Sequence, residues 1–249
     1  MARFIYALSG EGRGHTSRAM AITCMLRERG HEVRFCCGGT ARHILEEHGE
    51  PVIRVPALQH AMEGNRVQVI ATLRRNWSAL LSAFDTIDRL TDVFAHYDPD
   101  LLVTDFEAFS PRAASRLDLP VLSFNHQQVV TETRYEVPPA EWLDAALAQL
   151  VIELIAPSRP DHVMLTSFFY PPLRHPGRVT MIPPIIRPEV RAAGSTRGEH
   201  VLVYYNHGEG AEDVLTSLRG TDHKYVVYGF PNASRYDSDP RLQVKEPSI

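Results

Sequence analysis

Short apolar runs alternate along the chain with longer segments in which apolar residues recur every three or four positions. The runs predict strands, and the segments with helical spacing predict helices. In the first three quarters of the chain the predicted strands are 3–8, 32–37, 51–55, 101–104, 121–124, 162–166 and 179–182. Because strands that alternate with helices join through right-handed crossovers, the pattern predicts an α/β fold with a doubly wound parallel sheet.

Three predicted helices matter for the later argument. The first begins near Gly14 and ends at Gly30, a residue type that readily adopts the left-handed cap conformation. The longest pattern covers 65–96, and the apolar positions of its one face are Ile70, Leu73, Trp77, Leu80, Phe84 and Ile87. We expect Trp77 to pack into the core and the stretch 140–156 to form a buried helix. Alternatively, the long helix lies on an anionic membrane surface, since the helix also carries the basic residues Arg66, Arg74 and Arg75.

The pattern restarts near the end of the chain, after a proline-rich run at 182–188 and a small, polar segment at 189–199. The later predicted elements are a strand at 201–205, a helix at 209–218, and strands at 224–230 and 242–245. We therefore expect three parts, which are a Rossmann-like N-terminal domain over 1–188, a linker over 189–199, and the start of a second Rossmann-like domain over 200–249. So short a segment cannot complete such a domain, and we expect the chain to stop inside it.

Charge and composition exclude several classes of protein. With 26 basic and 30 acidic residues the net charge is −4, so the chain has no overall attraction for nucleic acid. We expect neither a membrane-spanning run nor a signal sequence. Two of the three cysteines, Cys36 and Cys37, are adjacent in one predicted strand and so form no disulfide framework. These features predict a cytoplasmic globular protein.

The first predicted strand leads into the glycine-rich turn LSGEGRGHTSRAM, residues 8–20. Such a turn presents backbone N–H groups and the positive end of a helix to the edge of the sheet, which suits a phosphate. The dinucleotide fingerprint G-x-G-x-x-G fits poorly, because its third glycine would be His15 or Ser17 and no acidic residue ends the second strand. A turn whose glycines serve only tight packing is the other alternative, but it leaves His15 unexplained.

His15 and Asp105 are the candidate reactive residues. His15 falls in the first turn of the first helix, where the positive helix end favours the neutral imidazole that can accept a proton. Asp105 follows the strand 101–104 and reaches the same edge of the sheet if the two strands lie close. A carboxylate bonded to one ring nitrogen fixes the tautomer and supports the imidazolium. We therefore predict a general base with an orienting carboxylate; for either residue alone, a cap or polar contact is the alternative.

Four segments together resemble the GT-B glycosyltransferases. They are GEGRGHTSRAMAI, VTDFEAFS…RLDLPVLSFNHQ, IPPIIRPEV and VLVYYNHGEG, and they are spread over essentially the whole chain. The pairing of a G-x-G-H-x-x-R turn with a D-F-E strand end is most similar to a branch related to the N-acetylglucosaminyltransferase of lipid II synthesis and the UDP-glycosyltransferases. The resemblance implies an acceptor on the first of two Rossmann-like domains and a nucleotide-sugar donor, UDP-linked, on the second, with no other cofactor.

The resemblance also implies roles for particular residues. His15 would deprotonate the acceptor hydroxyl, and Asp105 would orient His15. Residues implied at the donor are Gly12, Arg13, Gly14, Asn206, His207, Gly208 and Gly210. Residues implied at the acceptor are Glu107, Asn125 and His126. The acceptor would be a small molecule or a lipid-linked hydroxyl, the latter with peripheral contact at the inner face of the membrane.

Two other functions stay open at this point. A nucleotide-sugar epimerase of similar fold would need further acids and bases, and a non-catalytic acceptor- or nucleotide-binding module would suit an incomplete second domain.

Asp98-x-Asp100 and Asp237-x-Asp239 have the spacing by which glycosyltransferases of another fold hold a metal, but both stand in turns beside proline. We expect solvated turn residues and no metal, because a helix end and basic groups can neutralise a departing diphosphate.

Overall fold

The computed structural model describes residues 1–11, 13–59, 61–63, 66–67, 69–156, 160–205, 210–230 and 239–245. The chain divides into two compact units, Met1–Ala192 and Ala193–Ile249. This division falls within the segment 189–199 that we expected to be a linker, although Pro188–Ala192 forms a short helix.

A parallel sheet forms the centre of the first unit. Its strands and one short hairpin are β1 (Arg3–Leu8), β2 (Glu32–Cys37), β3 (Val52–Arg54), β4 (Met62–Glu63), β5 (Arg66–Val67), β6 (Leu101–Asp105), β7 (Val121–Asn125), β8 (His162–Thr166) and β9 (Val179–Ile182). Across the described residues, seven strands pair in the order β3-β2-β1-β6-β7-β8-β9, and all pairs are parallel. The predicted doubly wound α/β fold is confirmed.

Helices cover both faces of this sheet. They are α1 (Arg13–Glu28), α2 (Gly39–Glu47), α3 (Val69–Arg75), α4 (Trp77–Leu81), α5 (Ala83–Tyr97), α6 (Ser110–Arg116), α7 (Val129–Glu132), α8 (Trp142–Ile155) and α9 (Pro188–Ala192). On one face, α5 and α6 bury strand residues such as Ile5 and Leu102. On the other, α1 and α2 bury Tyr6, Leu8 and Phe35. Because successive strand residues face opposite layers and both layers are apolar, the central strands β1 and β6 are buried through most of their length, whereas β2 keeps the exposed Arg34.

The long helix predicted over 65–96 is wrong, because α3, α4 and α5 replace its greater part. Asn76 separates α3 from α4, and its side-chain amide donates to the carbonyl oxygens of Gln59 at 2.8 Å and Thr72 at 2.7 Å. Leu73, Trp77, Leu80 and Phe84 of the predicted face are exposed together, whereas Ile87 is buried. Trp77 is 62% exposed and Phe84 74% exposed, which corrects the prediction that Trp77 packs into the core.

The prediction of a buried helix over 140–156 is also wrong in its burial. Only Ile152 of α8 is buried. The helix contacts the turn after β6 through Ile152 and Ile155, which pack with Phe106 and Val130. Its exposed apolar residues are Trp142, Leu143, Leu147, Leu150 and Leu154. Within the described ranges, no helix has both the length and the hydropathy that a membrane crossing requires.

The second unit repeats the strand–helix pattern on a smaller scale. Its described elements are β10 (His200–Tyr204), α10 (Ala211–Arg219), β11 (Lys224–Tyr228) and β12 (Leu242–Lys245). The three strands pair in parallel in that order. Leu215 of α10 is buried with Tyr225 and Val227 of β11 in a separate core.

Candidate active site

The candidate site lies where the winding of the sheet reverses. β1 pairs with β2 on one side and with β6 on the other, and Leu8 at the end of β1 lies opposite Asp105 at the end of β6. The backbone N–H of Ser9 donates to the carbonyl oxygen of Asp105 at 3.0 Å, which joins the two strand ends. In open α/β sheets, the crevice beyond the carboxyl ends of the strands at such a reversal is the usual place for a ligand.

In the first turn, Gly10 is the glycine that is packed tightly against its neighbours. A Cβ at Gly10 would lie 2.6 Å from the Cβ of Ala57 and 2.9 Å from the carbonyl oxygen of Gly38, so only glycine fits there. Gly14 has open space at the corresponding position, and it is the second residue of α1 after Arg13, both with exposed side-chain positions. The packing alternative therefore accounts for Gly10, while Arg13 and Gly14 stay predictions at the donor and Gly12 lies outside the described residues.

The structure brings His15 and Asp105 together. His15 Nδ1 lies 2.8 Å from Asp105 Oδ1. The Asp105 side chain is completely buried, while 16% of the His15 side chain remains exposed. A buried carboxylate thus faces one ring nitrogen, and the ring keeps access to solvent.

A neighbouring glutamine contacts the second ring nitrogen of His15. The backbone N–H of His126 donates to Gln127 Oε1 at 3.2 Å, which leaves the amide nitrogen of Gln127 directed at His15 Nε2 at 3.3 Å. Arg18 Nη2, also a donor, lies 3.2 Å from His15 Nδ1, but Asp105 Oδ1, which only accepts, is nearer at 2.8 Å, so we assign the proton of the neutral ring to Nδ1 and the acceptor role to Nε2. Nδ1–H then donates to Asp105, and the basic lone pair is on Nε2. Sequence reasoning missed Gln127, because its neighbour His126 carries the more conspicuous side chain.

Arg18 completes the cluster and was also given no role from the sequence. Its Nε donates to Asp105 Oδ2 at 2.9 Å and its Nη2 to Asp105 Oδ1 at 2.5 Å. Burial lowers the pKa of the guanidinium, but the charge and hydrogen bonds of Asp105 outweigh it, so the pKa is raised overall. The signal was present, since residues three apart on a helix share a face and Arg18 is three after His15.

Tyr6 lies in the core layer beneath this cluster. Burial, together with the nearby Asp105 carboxylate, raises the pKa of its hydroxyl well above the usual range. Tyr6 is therefore a protonated, neutral neighbour of the His15, Asp105 and Arg18 cluster at ordinary pH.

The loop after β7 contains two of the residues implied at the acceptor. Asn125 is buried: its side chain donates to Gln128 Oε1 at 2.8 Å and accepts from the N–H of Gln128 at 2.9 Å. His126 is exposed, and its Nδ1–H donates to the carbonyl oxygen of Thr166 at 2.7 Å. Asn125 therefore shapes the turn, while His126 presents a ring at the same edge of the sheet; their contact with an acceptor stays a prediction.

Glu107, the third residue implied at the acceptor, is buried at the start of α6. Its carboxylate oxygens accept the N–H groups of Phe109 at 3.0 Å and Ser110 at 2.6 Å. Burial raises the pKa of Glu107, and hydrogen bonds from Ser110 and the backbone offset part of that rise. Here the carboxylate satisfies N–H groups that the helix start leaves without intrahelical partners; a role at the acceptor stays a prediction.

The remaining predicted site residues are less informative. Asn206, His207 and Gly208 lie outside the described residues, and Gly210 precedes α10 with a φ of 78°. Asp98 pairs with Arg3, and Asp100 accepts the N–H of Arg3; Asp237 also lies outside the described residues. In the described part of the chain, no group of three or more His, Cys, Asp and Glu side chains could hold a metal ion.

Comparison with known proteins assigns the chain to a family. A family model described as glycosyl transferase family 1 matches residues 2–249. An uncharacterized glycosyltransferase of Methanosarcina mazei is 27% identical over 127 residues, which is 50% of this chain and 33% of the relative. One of Methanosarcina acetivorans is 26% identical over 128 residues, again 50% of this chain and 33% of the relative. The matched region thus spans about a third of the length of these curated relatives.

Solved structures show the same fold at low identity. MurG of Acinetobacter baumannii is 11% identical with a TM-score of 0.54, over 100% of this chain and 68% of that chain. A glycosyltransferase of Streptomyces sp. SF2575, complexed with thymidine diphosphate, is 15% identical with a TM-score of 0.57, over 100% of this chain and 72% of that chain. The chain therefore belongs to glycosyl transferase family 1 and has the GT-B fold that its turn motifs led us to expect.

Proposed function

We propose that the protein transfers a sugar from a nucleoside diphosphate sugar to the hydroxyl of an acceptor, with His15 as the general base. The observation that carries the proposal is the contact between the His15 imidazole and the Asp105 carboxylate. Nδ1 lies 2.8 Å from the buried Asp105 carboxylate, and 16% of the His15 side chain is exposed. A base must be oriented and accessible, and His15 is both.

The reaction follows from this arrangement. The acceptor hydroxyl takes the place of the Gln127 amide at His15 Nε2 and gives up its proton to that nitrogen as its oxygen attacks the anomeric carbon. The bond from that carbon to the diphosphate breaks, and its electron pair leaves with the nucleoside diphosphate. Asp105 accepts the hydrogen bond from Nδ1 and stabilises the imidazolium that forms. Displacement in one step inverts the anomeric configuration.

The proposed donor is a UDP-sugar. The resemblance in sequence supports UDP, whereas the Streptomyces structure holds thymidine diphosphate, so both nucleotides belong in the test. Arg13 and Gly14 open the 16-residue helix α1, whose N-terminal N–H groups and positive end suit a diphosphate. We propose Arg13 and Gly14 as donor contacts, with no metal; the donor roles of Asn206, His207, Gly208 and Gly210 stay sequence-based predictions.

A nucleotide-release assay tests the proposed reaction. The protein is incubated with a panel of UDP- and thymidine diphosphate sugars, with and without alcohol acceptors, and the free nucleoside diphosphate is measured. We expect release that depends on an acceptor. Conversion of the sugar without net release would instead support the epimerase, and donor or acceptor binding without either reaction would support the binding module. Either result would contradict glycosyl transfer.

We also propose that the protein works on a lipid-linked acceptor at the cytoplasmic face of a membrane. The support is an exposed apolar surface, formed by Trp77, Leu80 and Leu81 of α4 together with Phe84 of α5. Trp77 and Leu81 are one helical turn apart and so are neighbours on α4. Arg74 stands in the last turn of the preceding helix α3. Apolar side chains beside basic ones favour an anionic lipid surface.

Vesicle binding measures this contact. Full burial of a Leu or Phe side chain contributes about 1.5–3 kcal/mol. The combined change Trp77→Ser, Leu81→Ser and Phe84→Ser is therefore expected to weaken binding to phosphatidylglycerol-containing vesicles at least roughly tenfold. The matched control changes Leu143 and Leu154 of α8 to serine, since these are as exposed but share their helix with Asp144 and Glu153. Equal binding by the α4 and α5 variant and the unsubstituted protein would contradict the proposal.

A further inference from the structure

We infer that Arg18 is a positioning residue for His15: its guanidinium clamps the Asp105 carboxylate and cancels its charge, so that Asp105 orients the imidazole without turning it into a cation. This inference rests on the proposed function only for its meaning in catalysis. The contacts that carry it belong to the folded chain alone.

All three nitrogens of the Arg18 guanidinium have partners. Nε and Nη2 grip both oxygens of Asp105, and Nη1 donates to Thr166 Oγ1 at 3.4 Å. The guanidinium carbon lies 5.4 Å from the centre of the Phe124 ring. A guanidinium bound in this way is not free to neutralise a leaving diphosphate. Its two parallel bonds to one carboxylate use the planar fork that lysine lacks.

The charges around His15 show what this clamp does. A buried carboxylate 2.8 Å from a ring nitrogen strongly favours the imidazolium, which has no lone pair left to accept a proton. Arg18 Nη2 lies 3.2 Å from His15 Nδ1, and a positive charge at that distance opposes ring protonation. The paired Arg18 and Asp105 are neutral together, so the ring keeps the hydrogen bond of the carboxylate without the full effect of its charge.

The other groups that face the cluster leave this balance unchanged. Tyr6 on β1 is a neutral hydroxyl, Thr166 on β8 is a hydroxyl, and Gln127 is an amide. His126 has its Nδ1 bonded to the carbonyl oxygen of Thr166. Among the described contacts of His15, Arg18 and Asp105 are the charged groups.

The test follows the titration of the His15 ring by NMR in the 249-residue chain, with its signals assigned by their loss in His15→Gln. In Arg18→Met, the midpoint of that titration is expected to rise by about one to two pH units relative to the unsubstituted chain. In Arg18→Lys, which keeps the charge but loses the two parallel hydrogen bonds, the midpoint is expected to rise less. Arg27→Met on the same helix, where Arg27 pairs with Glu50 at the surface, should leave the midpoint unchanged.

A second variant keeps the inference testable if Arg18→Met does not fold. Arg18→Met with Asp105→Asn removes both buried charges, and its His15 midpoint should fall back to that of the unsubstituted chain or below it. An unchanged or lower midpoint in folded Arg18→Met, or a double variant that titrates higher than the unsubstituted chain, would overturn the inference.

Transfer assays then separate this inference from the proposed function. We expect the acid limb of the kcat profile of Arg18→Met to move to higher pH together with the NMR midpoint. If the midpoint moves while His15→Gln keeps its turnover, the role of Arg18 stands and the role of His15 as base fails. If His15→Gln is inactive and the midpoint does not move, the reverse holds.

Discussion

Replacement of His15 by alanine is expected to lower the turnover of glycosyl transfer by roughly 10² to 10⁴, the usual contribution of a general base. The acceptor hydroxyl would then have to lose its proton to water. Because part of the His15 side chain is exposed and its partner Asp105 keeps Arg18, we expect the fold to survive the change. Initial rates at saturating donor and acceptor measure the loss.

Two comparisons make this result specific. The thermal unfolding of His15→Ala, followed by circular dichroism, should stay close to that of the unsubstituted protein. His48→Ala changes an exposed histidine at the end of α2 and should keep full turnover. Turnover of His15→Ala within about threefold of the unsubstituted rate would remove His15 from the role of base.

Asp105→Ala is expected to be the most destabilising single substitution in the cluster, at about 3–5 kcal/mol of unfolding free energy. The Asp105 side chain is completely buried and bonds to both Arg18 and His15. Its removal leaves a guanidinium that is only 17% exposed without a counter-charge, and the loss of a buried partner costs far more than the pair itself contributes. Urea denaturation at neutral pH measures the change.

Asp88→Ala is the matched control for an exposed pair. Asp88 pairs with Arg116 at the surface, where solvent screens the charges, and its loss should cost at most about 1 kcal/mol. The double variant Asp105→Asn with Arg18→Met should recover much of the lost stability, since neither charge is then left alone. A cost for Asp105→Ala as small as that for Asp88→Ala would mean that the buried pair is not an energetic unit.

The strands of the first unit could be predicted almost to the residue. β1, β2, β8 and β9 match the predicted bounds, since each is a short segment rich in apolar residues between turn-forming residues. The proximity of His15 to Asp105 was a conditional prediction, because both follow strand ends but the sequence does not say which strands are neighbours. The pairing of β1 with β6 supplies that condition.

Burial of helices could not be predicted in the same way. The apolar spacing around Trp77 favoured a core position, but the neighbouring Asn76 is the buried residue, and its side chain bonds to the Gln59 backbone. Such a contact joins positions 17 residues apart, and no local period records it. The α8 helix is apolar on nearly every side, so its sequence could not indicate which side the domain would cover.

The polar cluster shows a similar division. His15 stood out because it follows a glycine turn, whereas Arg18 entered only as the last residue of the G-x-G-H-x-x-R motif and received no role until the structure showed Asp105 opposite it. Gln127 and Gln128 are adjacent and chemically identical, yet one faces His15 and the other closes a turn with Asn125. That distinction depends on the path of the loop rather than on residue type.

The contact between the Gln127 amide and His15 Nε2 bears on what happens when no acceptor is bound. While no alcohol is bound, the imidazole lone pair is engaged by an N–H rather than offered to the surrounding liquid. A water molecule would have to displace the amide without further contacts to hold the water in place, whereas a larger alcohol makes contacts of its own. If His15 is the base that we propose, this contact would keep its lone pair from activating water for hydrolysis of the sugar donor until an acceptor displaces the amide.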